Sequence, residues 1–482
     1  MKMRNIAGAT VLALSLGLSS GTGGAEKSDK RPDKYNVLFV AADDLNIDIG
    51  CYGNSQVKTP NIDRLARMGM RFDSAYCQQP LCGPSRASIM SGLRPNTTGF
   101  VRLEDDLRKL KPDVVTMGQF FQEKGYYVGR VGKIYHYGNP REIGTNGHDD
   151  APTWQERYNP AGIDKQRQSE IVYFPGGAPA GKRPLGCSMS LWDPISADEE
   201  HTDGMVASKA IELIDAHKNE PFFIAAGFFN PHCPYVAPKK YFDMYPLEEI
   251  TLEPKSEASK DLEDVPRMAY QWDRAHWNPY NKVSHEEARK CKRAYYACVS
   301  FVDAQVGRLI DALEDRDLLK NTIIVFWSDH GYFLGEKGLW YKRKNFERSV
   351  RVPLIFAGPP VARPGSVCSK PVELIDLYPT LADCGGYDVP ARLEGASLRR
   401  ILAGDDSNWD KPAISQVYYS KDAQGFSIRT ERWRYTEWNR GKAGRELYDH
   451  ESDPDEKINL AGRPGYADVI GKLSARLEPF RR

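Results

Sequence analysis

The sequence predicts an α/β fold, a mostly parallel sheet sandwiched by helices, followed by a smaller C-terminal antiparallel subdomain. Three observations carry this prediction. The runs 35–41, 222–229 and 322–327 are almost continuously apolar, as strands buried on both faces must be. Segments with helical spacing alternate with them, which is the pattern of parallel strands joined by crossover helices. From Asp405 onward the chain changes to short strand-like runs with little helix before its end.

Taken in order, residues 35–41 form a strand that stops at Asp43-Asp44. A helix follows over 60–69, where Ile62, Leu65, Ala66 and Met68 recur at helical spacing. Residues 114–124 read as a helix closed by Gly125, ahead of a strand over 126–131. Residues 205–217 are amphipathic and lead into the strand 222–229. A long helix over 286–314 precedes the strand 322–327, which ends at Ser328-Asp329-His330-Gly331. Runs 413–419 and 425–429 are strand-like. The Pro-rich polar stretch 139–194 reads as a long surface insertion, and no internal repeat is present. The expected organisation is a signal segment over 1–25, a catalytic domain over 34–404 and a subdomain over 405–482. In sheets of this kind ligands bind beyond the carboxyl ends of the strands.

Composition narrows the function. The 482 residues are 41% hydrophobic and 27% charged, with a net charge of +1 from 66 basic and 65 acidic residues. No basic excess points to nucleic acid, and no acidic tail to a disordered arm. An anionic substrate must therefore be met by local charge. Lys2 and Arg4 precede an apolar run over 6–18, and small residues lead to Ala25. This is a signal peptide cleaved after Ala25, too short to span a membrane. A periplasmic or secreted protein with no membrane span after cleavage is expected. Asn96-Thr97-Thr98 is a glycosylation sequon, expected to go unused behind so bacterial-looking a signal.

Nine cysteines is an odd number for an exported chain. Cys291 and Cys298 lie on the long helix with about 10 Å of rise between them, too far for a mutual bond. Cys368 and Cys384 flank a short loop, and their spacing permits a disulfide.

Two buried strands end in acids, Asp43-Asp44 and Asp329-His330. Either pair alone suits a loop acid that caps a helix. Together they place three carboxylates at neighbouring strand tips, where they repel unless a cation sits between them. A hard cation such as Ca²⁺ or Mg²⁺ prefers such oxygens, while the His330 nitrogen leaves the metal open. Cys82-Gly83-Pro84-Ser85-Arg86 puts Cys82 at a helix N-terminus, where anions are favoured. A half-cystine and a low-pKa thiolate are both open there.

Cys-x-Pro-Ser-Arg, with the two acid pairs in this order around it, resembles the signature of the type I, formylglycine-dependent sulfatases. Within them the chain is most similar to the iduronate-2-sulfatases, from about Tyr35 to Pro390, with a weaker match at Glu446-Leu447-Tyr448-Asp449. Gly132-Lys133-Ile134-Tyr135-His136, Asn230-Pro231-His232-Cys233-Pro234-Tyr235 and the run from Gly335 to Lys342 carry that similarity.

The resemblance implies an alkaline-phosphatase-like α/β domain and a set of roles. Asp43, Asp44, Asp329 and His330 would bind one Ca²⁺ together with Cys82, itself converted to formylglycine by a maturation enzyme. Arg86 would hold the formylglycine, Lys133 and Lys342 the sulfate oxygens, and His136 and His232 would handle protons. A formylglycine hydrate carries two hydroxyls on one carbon. One attacks sulfur; loss of the proton from the other expels sulfate, whereas serine would be left as a stable ester. The implied substrate is a sulfated oligosaccharide or polysaccharide, with a 2-O-sulfated uronic acid foremost. Other sulfated polysaccharides, a phosphonate or phosphate diester, and a silent polysaccharide-binding role are the alternatives.

Overall fold

Strand β1 (Asn36–Ala42) is buried along its whole length. Its side chains alternate between two cores: Leu38 and Val40 face one, and Val37, Phe39 and Ala41 the other. The pleat period of two thus meets apolar layers on both faces. The structure, a computed structural model, describes residues 34–179, 185–270 and 279–481. The expected signal segment lies outside the described residues.

After β1 come α1 (Pro60–Met68), β2 (Gly69–Phe72), α2 (Cys82–Ser91), α3 (Met117–Glu123), β3 (Tyr127–Gly132) and β4 (Glu156–Tyr158). Then follow α4 (Thr202–His217), β5 (Phe222–Gly227), α5 (His285–Glu314), β6 (Thr322–Ser328), β7 (Leu354–Ala357), β8 (Ser366–Cys368) and α6 (Leu377–Cys384). The eight strands lie in the order β8-β2-β7-β6-β1-β5-β3-β4. Strands β6, β1, β5, β3 and β4 are all parallel. β7 runs antiparallel to both of its neighbours, so the sheet is mixed but mostly parallel, as expected. Helices α1, α4 and α5 cover one face; α2, α3 and α6 cover the other.

The C-terminal part is the expected antiparallel sheet. β9 (Ala413–Ser420), β10 (Ala423–Arg429), β11 (Trp433–Trp438) and β12 (Arg445–Asp449) pair in sequence order. Helix α7 (Ala467–Leu477) covers it through Leu473 and Leu477.

Three expectations change. The helix read over 114–124 begins at Met117. Gln119 Oε1 accepts from the Thr116 N–H at 3.1 Å, half of a capping box that stops the helix running back into Val114 and Val115. The stretch 139–194 is more than surface, because Glu156–Tyr158 extends the main sheet as its edge strand. Ile171 and Trp192 from the same stretch enter a buried cluster. All nine cysteines are free thiols, so Cys368 and Cys384 are unpaired; one ends β8 and the other ends α6, each buried among apolar side chains. No helix among the described residues is long and apolar enough to cross a membrane.

Candidate active site

The strand register assembles the site. Ala42 of β1 lies opposite Ser328 of β6, so Asp43-Asp44 and Asp329-His330 leave the sheet side by side. On the other flank Ala41 pairs with Gly227 of β5, and Gly227 with Gly132 of β3. The chain after β5 therefore brings His232, and the chain after β3 brings Lys133 and His136, to the same carboxyl edge. Gly132 has φ +74°, and a Cβ there would come within 2.2 Å of the Gly227 carbonyl oxygen. Only glycine allows this turn at so close an approach.

Cys82 opens α2, and every residue of that helix is buried. Its Sγ lies 3.3 Å from His330 Nε2, 3.3 Å from Lys342 Nζ and 3.9 Å from Asp44 Oδ1. Arg86, one turn on, is fully buried. Its Nε donates to Asp329 Oδ2 at 2.8 Å and its Nη2 to Asp43 Oδ1 at 3.2 Å, while Nη1 reaches the carbonyls of Lys133 and Ile134. One guanidinium thus ties three strand ends to the Cys82 helix. Burial pushes the Cys82 thiol up; Asp43 and Asp329 add to this, with Lys342 and Lys133 opposing. Cys82 is a free thiol and not a half-cystine.

The two lysines bind the two neighbouring acids, Lys133 on Asp43 and Lys342 on Asp44. Burial would raise Asp43, but Lys133, His232, Arg86 and Lys342 together outweigh it and hold the carboxyl well below its usual range. Asp44 goes the other way: burial raises it, and Asp43 and Asp329 add to the rise against Lys342 and His330. Its Oδ2 is buried with no hydrogen-bond partner. His232 donates from Nδ1 to the Cys233 carbonyl at 2.6 Å, which turns Nε2 toward Asp44 Oδ2 at 3.8 Å. Burial, then Lys342, pushes its pKa down. His136 is buried with Nδ1 unpartnered, and burial, then Lys133, pushes it well below its usual value.

This donor set fits a hard divalent cation. Ligand atoms of Asp43, Asp44, Cys82 and His232 lie within 4.8 Å of one another, as do those of Cys82, Asp329 and His330. The unpartnered Asp44 oxygen is what an oxygen-seeking ion would satisfy. His330 donates from Nδ1 to the Gly331 carbonyl at 3.0 Å, leaving the Nε2 lone pair toward the cluster.

A family model described as Sulfatase matches residues 35–387, and one described as N-sulphoglucosamine sulphohydrolase, C-terminal, matches residues 335–482. The chain belongs to the sulfatase family. A sulfatase of Formosa agariphila is 36% identical over 470 residues, 95% of this chain and 89% of that protein. Human iduronate 2-sulfatase is 33% identical over 515 residues, 89% of this chain and 90% of that protein, so the sulfatase is similar to the iduronate-2-sulfatases. The phosphonate monoester hydrolase of Agrobacterium radiobacter shares its fold, with a TM-score of 0.77 at 23% identity over 93% of this chain and 95% of that one. The sulfatase has the alkaline-phosphatase-like fold.

The structure brings together all ten residues singled out from the sequence. It adds others that carried no sequence signal. Asn139 donates from Nδ2 to the His232 carbonyl at 3.3 Å, and Tyr419 donates to the carbonyl of Arg343, beside Lys342, at 2.8 Å. Ser85 donates to the Asp329 carbonyl at 2.6 Å; its place inside the cysteine motif was the one available hint.

Proposed function

We propose that the sulfatase hydrolyses the sulfate ester of a sulfated carbohydrate, with a 2-O-sulfated uronic acid as its substrate. The observation that carries this reading is Cys82 Sγ, held at a buried helix N-terminus 3.3 Å from both Lys342 Nζ and His330 Nε2. Converted to formylglycine, Cys82 would supply a hydrated aldehyde as nucleophile. A Ca²⁺ ion held by Asp43, Asp44, Asp329 and His330 would supply positive charge beside the sulfuryl group.

The chain's own groups do the rest. Arg86 fixes the Cys82 helix against Asp43 and Asp329. Lys133 and Lys342 present two ammonium groups where charge develops on the transferring sulfuryl oxygens. His232, oriented by its bond to Cys233, protonates the departing sugar oxygen. General acid help of this kind contributes about 10²–10⁴ in rate. His136 Nδ1, buried without a partner, takes the proton that frees sulfate. The human relative's name supports the 2-O-sulfated uronate, and the signal-like N-terminus supports export to the periplasm or beyond, with maturation by a formylglycine-generating enzyme.

The test is mass spectrometry of the tryptic peptide containing Cys82, on protein made in a maturation-competent host, with sulfate release from 2-O-sulfated disaccharides measured on the same sample. The expected peptide carries oxygen in place of H₂S, and sulfate is released. An unmodified thiol with no sulfate released defeats the reading.

A further inference from the structure

Beyond the groups assigned to the sulfate itself, two arginines lie along the segment that carries Cys82, with no acid opposite them among the described residues. Arg343 follows Lys342 directly and has φ +73°. Its N–H donates to the Pro80 carbonyl at 3.2 Å, two residues before Cys82, and its own carbonyl accepts from Tyr419. Its guanidinium lies 5.5 Å from the centre of the Tyr419 ring. Arg102 runs over the other neighbour of the nucleophile, because a Cβ on Gly83 would sit 3.5 Å from the Arg102 carbonyl oxygen. Its guanidinium lies 5.5 Å from the centre of the Tyr418 ring, with Nη2 3.4 Å from that hydroxyl. The two platforms are consecutive residues of β9, at an irregularity in its pairing with β10. Bulges of this kind re-aim side chains beside active sites.

Neither arginine has a carboxylate within ion-pair distance among the described residues, although Arg86, Arg94 and Arg434 nearby all do. A guanidinium stacked on an aromatic face keeps its N–H fork open and partly desolvated. Nothing among the described residues offers that fork an anion, and a ligand would.

We propose that the Arg343–Tyr419 and Arg102–Tyr418 stacks form a second anion subsite that reads a negative group on the sugar other than the sulfate being cleaved. Its ligand chemistry is a planar or tetrahedral oxyanion, either a uronate carboxylate or a second sulfate. This rests on the sulfatase reading above and sharpens its substrate class. Arg343 is the principal reader, because it is half-buried and joined in sequence to Lys342; Arg102, more exposed, contributes less.

The test compares kcat/KM of wild type and Arg343→Gln on three substrates. These are an aryl sulfate with no second charge, a 2-O-sulfated uronate disaccharide, and a disaccharide with a second sulfate and no carboxylate. The ratio of the doubly charged substrate to the aryl sulfate is expected to fall about ten- to a hundredfold, the size of a lost charge-assisted pair. Arg343→Lys should recover part of it, and Arg102→Gln should lower it less. The substrate that suffers identifies the anion as carboxylate or sulfate. Equal losses on all three substrates would mean that Arg343 only shapes the Lys342 loop, and an unchanged ratio would mean that it reads nothing; either overturns the subsite. If wild type releases sulfate from the aryl substrate, the reading beneath it stands whatever the ratio does. No release from any substrate defeats both.

Discussion

The sulfatase buries two clusters of opposite charges a few residues apart along the chain, and they are built differently. One lies around Cys82, as described above. The other joins Glu347, just beyond the Lys342 loop, to Arg434 of β11, Glu456 and His450. In the second cluster every acid is answered. Arg434 bridges both glutamates, Tyr76 donates to Glu347 at 2.9 Å, and the Glu347 N–H donates to Glu456 at 2.8 Å. Its three ligand-type side chains lie as close together as a metal site requires, yet Arg434 already occupies them. In the first cluster the lysines are shared out, but Asp44 keeps an orphaned oxygen and Asp43 and Asp44 are driven in opposite directions. Burying charge costs free energy in both places. Only the cluster left incomplete has something to offer a ligand; the complete one holds the C-terminal sheet to the catalytic layer.

That contrast can be broken from either side. The largest effect is expected at the incomplete cluster. Cys82→Ala should lower sulfate release by about four orders of magnitude or more, as loss of a nucleophile does. It should cost no more than about 1.5 kcal/mol of stability in denaturant melts. A comparable collapse of stability would make Cys82 a structural residue.

The complete cluster should behave in reverse. Arg434→Met leaves Glu347 and Glu456 buried and unpaired, and should destabilise the fold by about 3–5 kcal/mol, read from the denaturant midpoint. Folded Arg434→Met protein at low denaturant should keep most of its turnover. A midpoint near that of wild type would mean that this network is not what joins the two sheets.

The smallest effect concerns acid. Burial would raise Glu347, but Arg434 and Arg429 outweigh it and hold the carboxyl below its ordinary value of 4.5. Glu456, beside the same arginine, is lowered too. With the folded value depressed, the contribution is complete above the unfolded value and lost as pH falls through the folded one. Wild-type stability should therefore decline below about pH 4.5, and the decline should be shallower in Glu347→Gln. Equal slopes would remove Glu347 from the account.

Much of this architecture was legible in the sequence. Continuous apolar runs gave β1, β5 and β6, because a strand buried on both faces has no room for polar residues. The cysteine motif and the acid pairs gave the centre of the site, because their residues are adjacent in the chain. Contacts between distant polar residues were not legible. Asn139 reaches His232, and Tyr419 reaches Arg343, from segments whose composition suits any surface. Arg434 and Glu347 stand 87 residues apart, and neither side chain names its partner. The start of α3 was missed for a different reason: the Thr116–Gln119 cap was present in the sequence, but the apolar Val114 and Val115 drew the helix back over it.

The burial of α2 sets an order of events. Cys82 is 2% exposed, and no residue from Cys82 to Ser91 reaches the surface. A maturation enzyme of the kind proposed would need to reach Cys82, and the folded molecule buries it with its whole helix. The change proposed at Cys82 must then be made on a chain that has not yet collapsed. On that reading each molecule would have one early interval for the conversion. On the proposed reading, a chain that folds first would keep its thiol, and the converted fraction would be set before folding is complete.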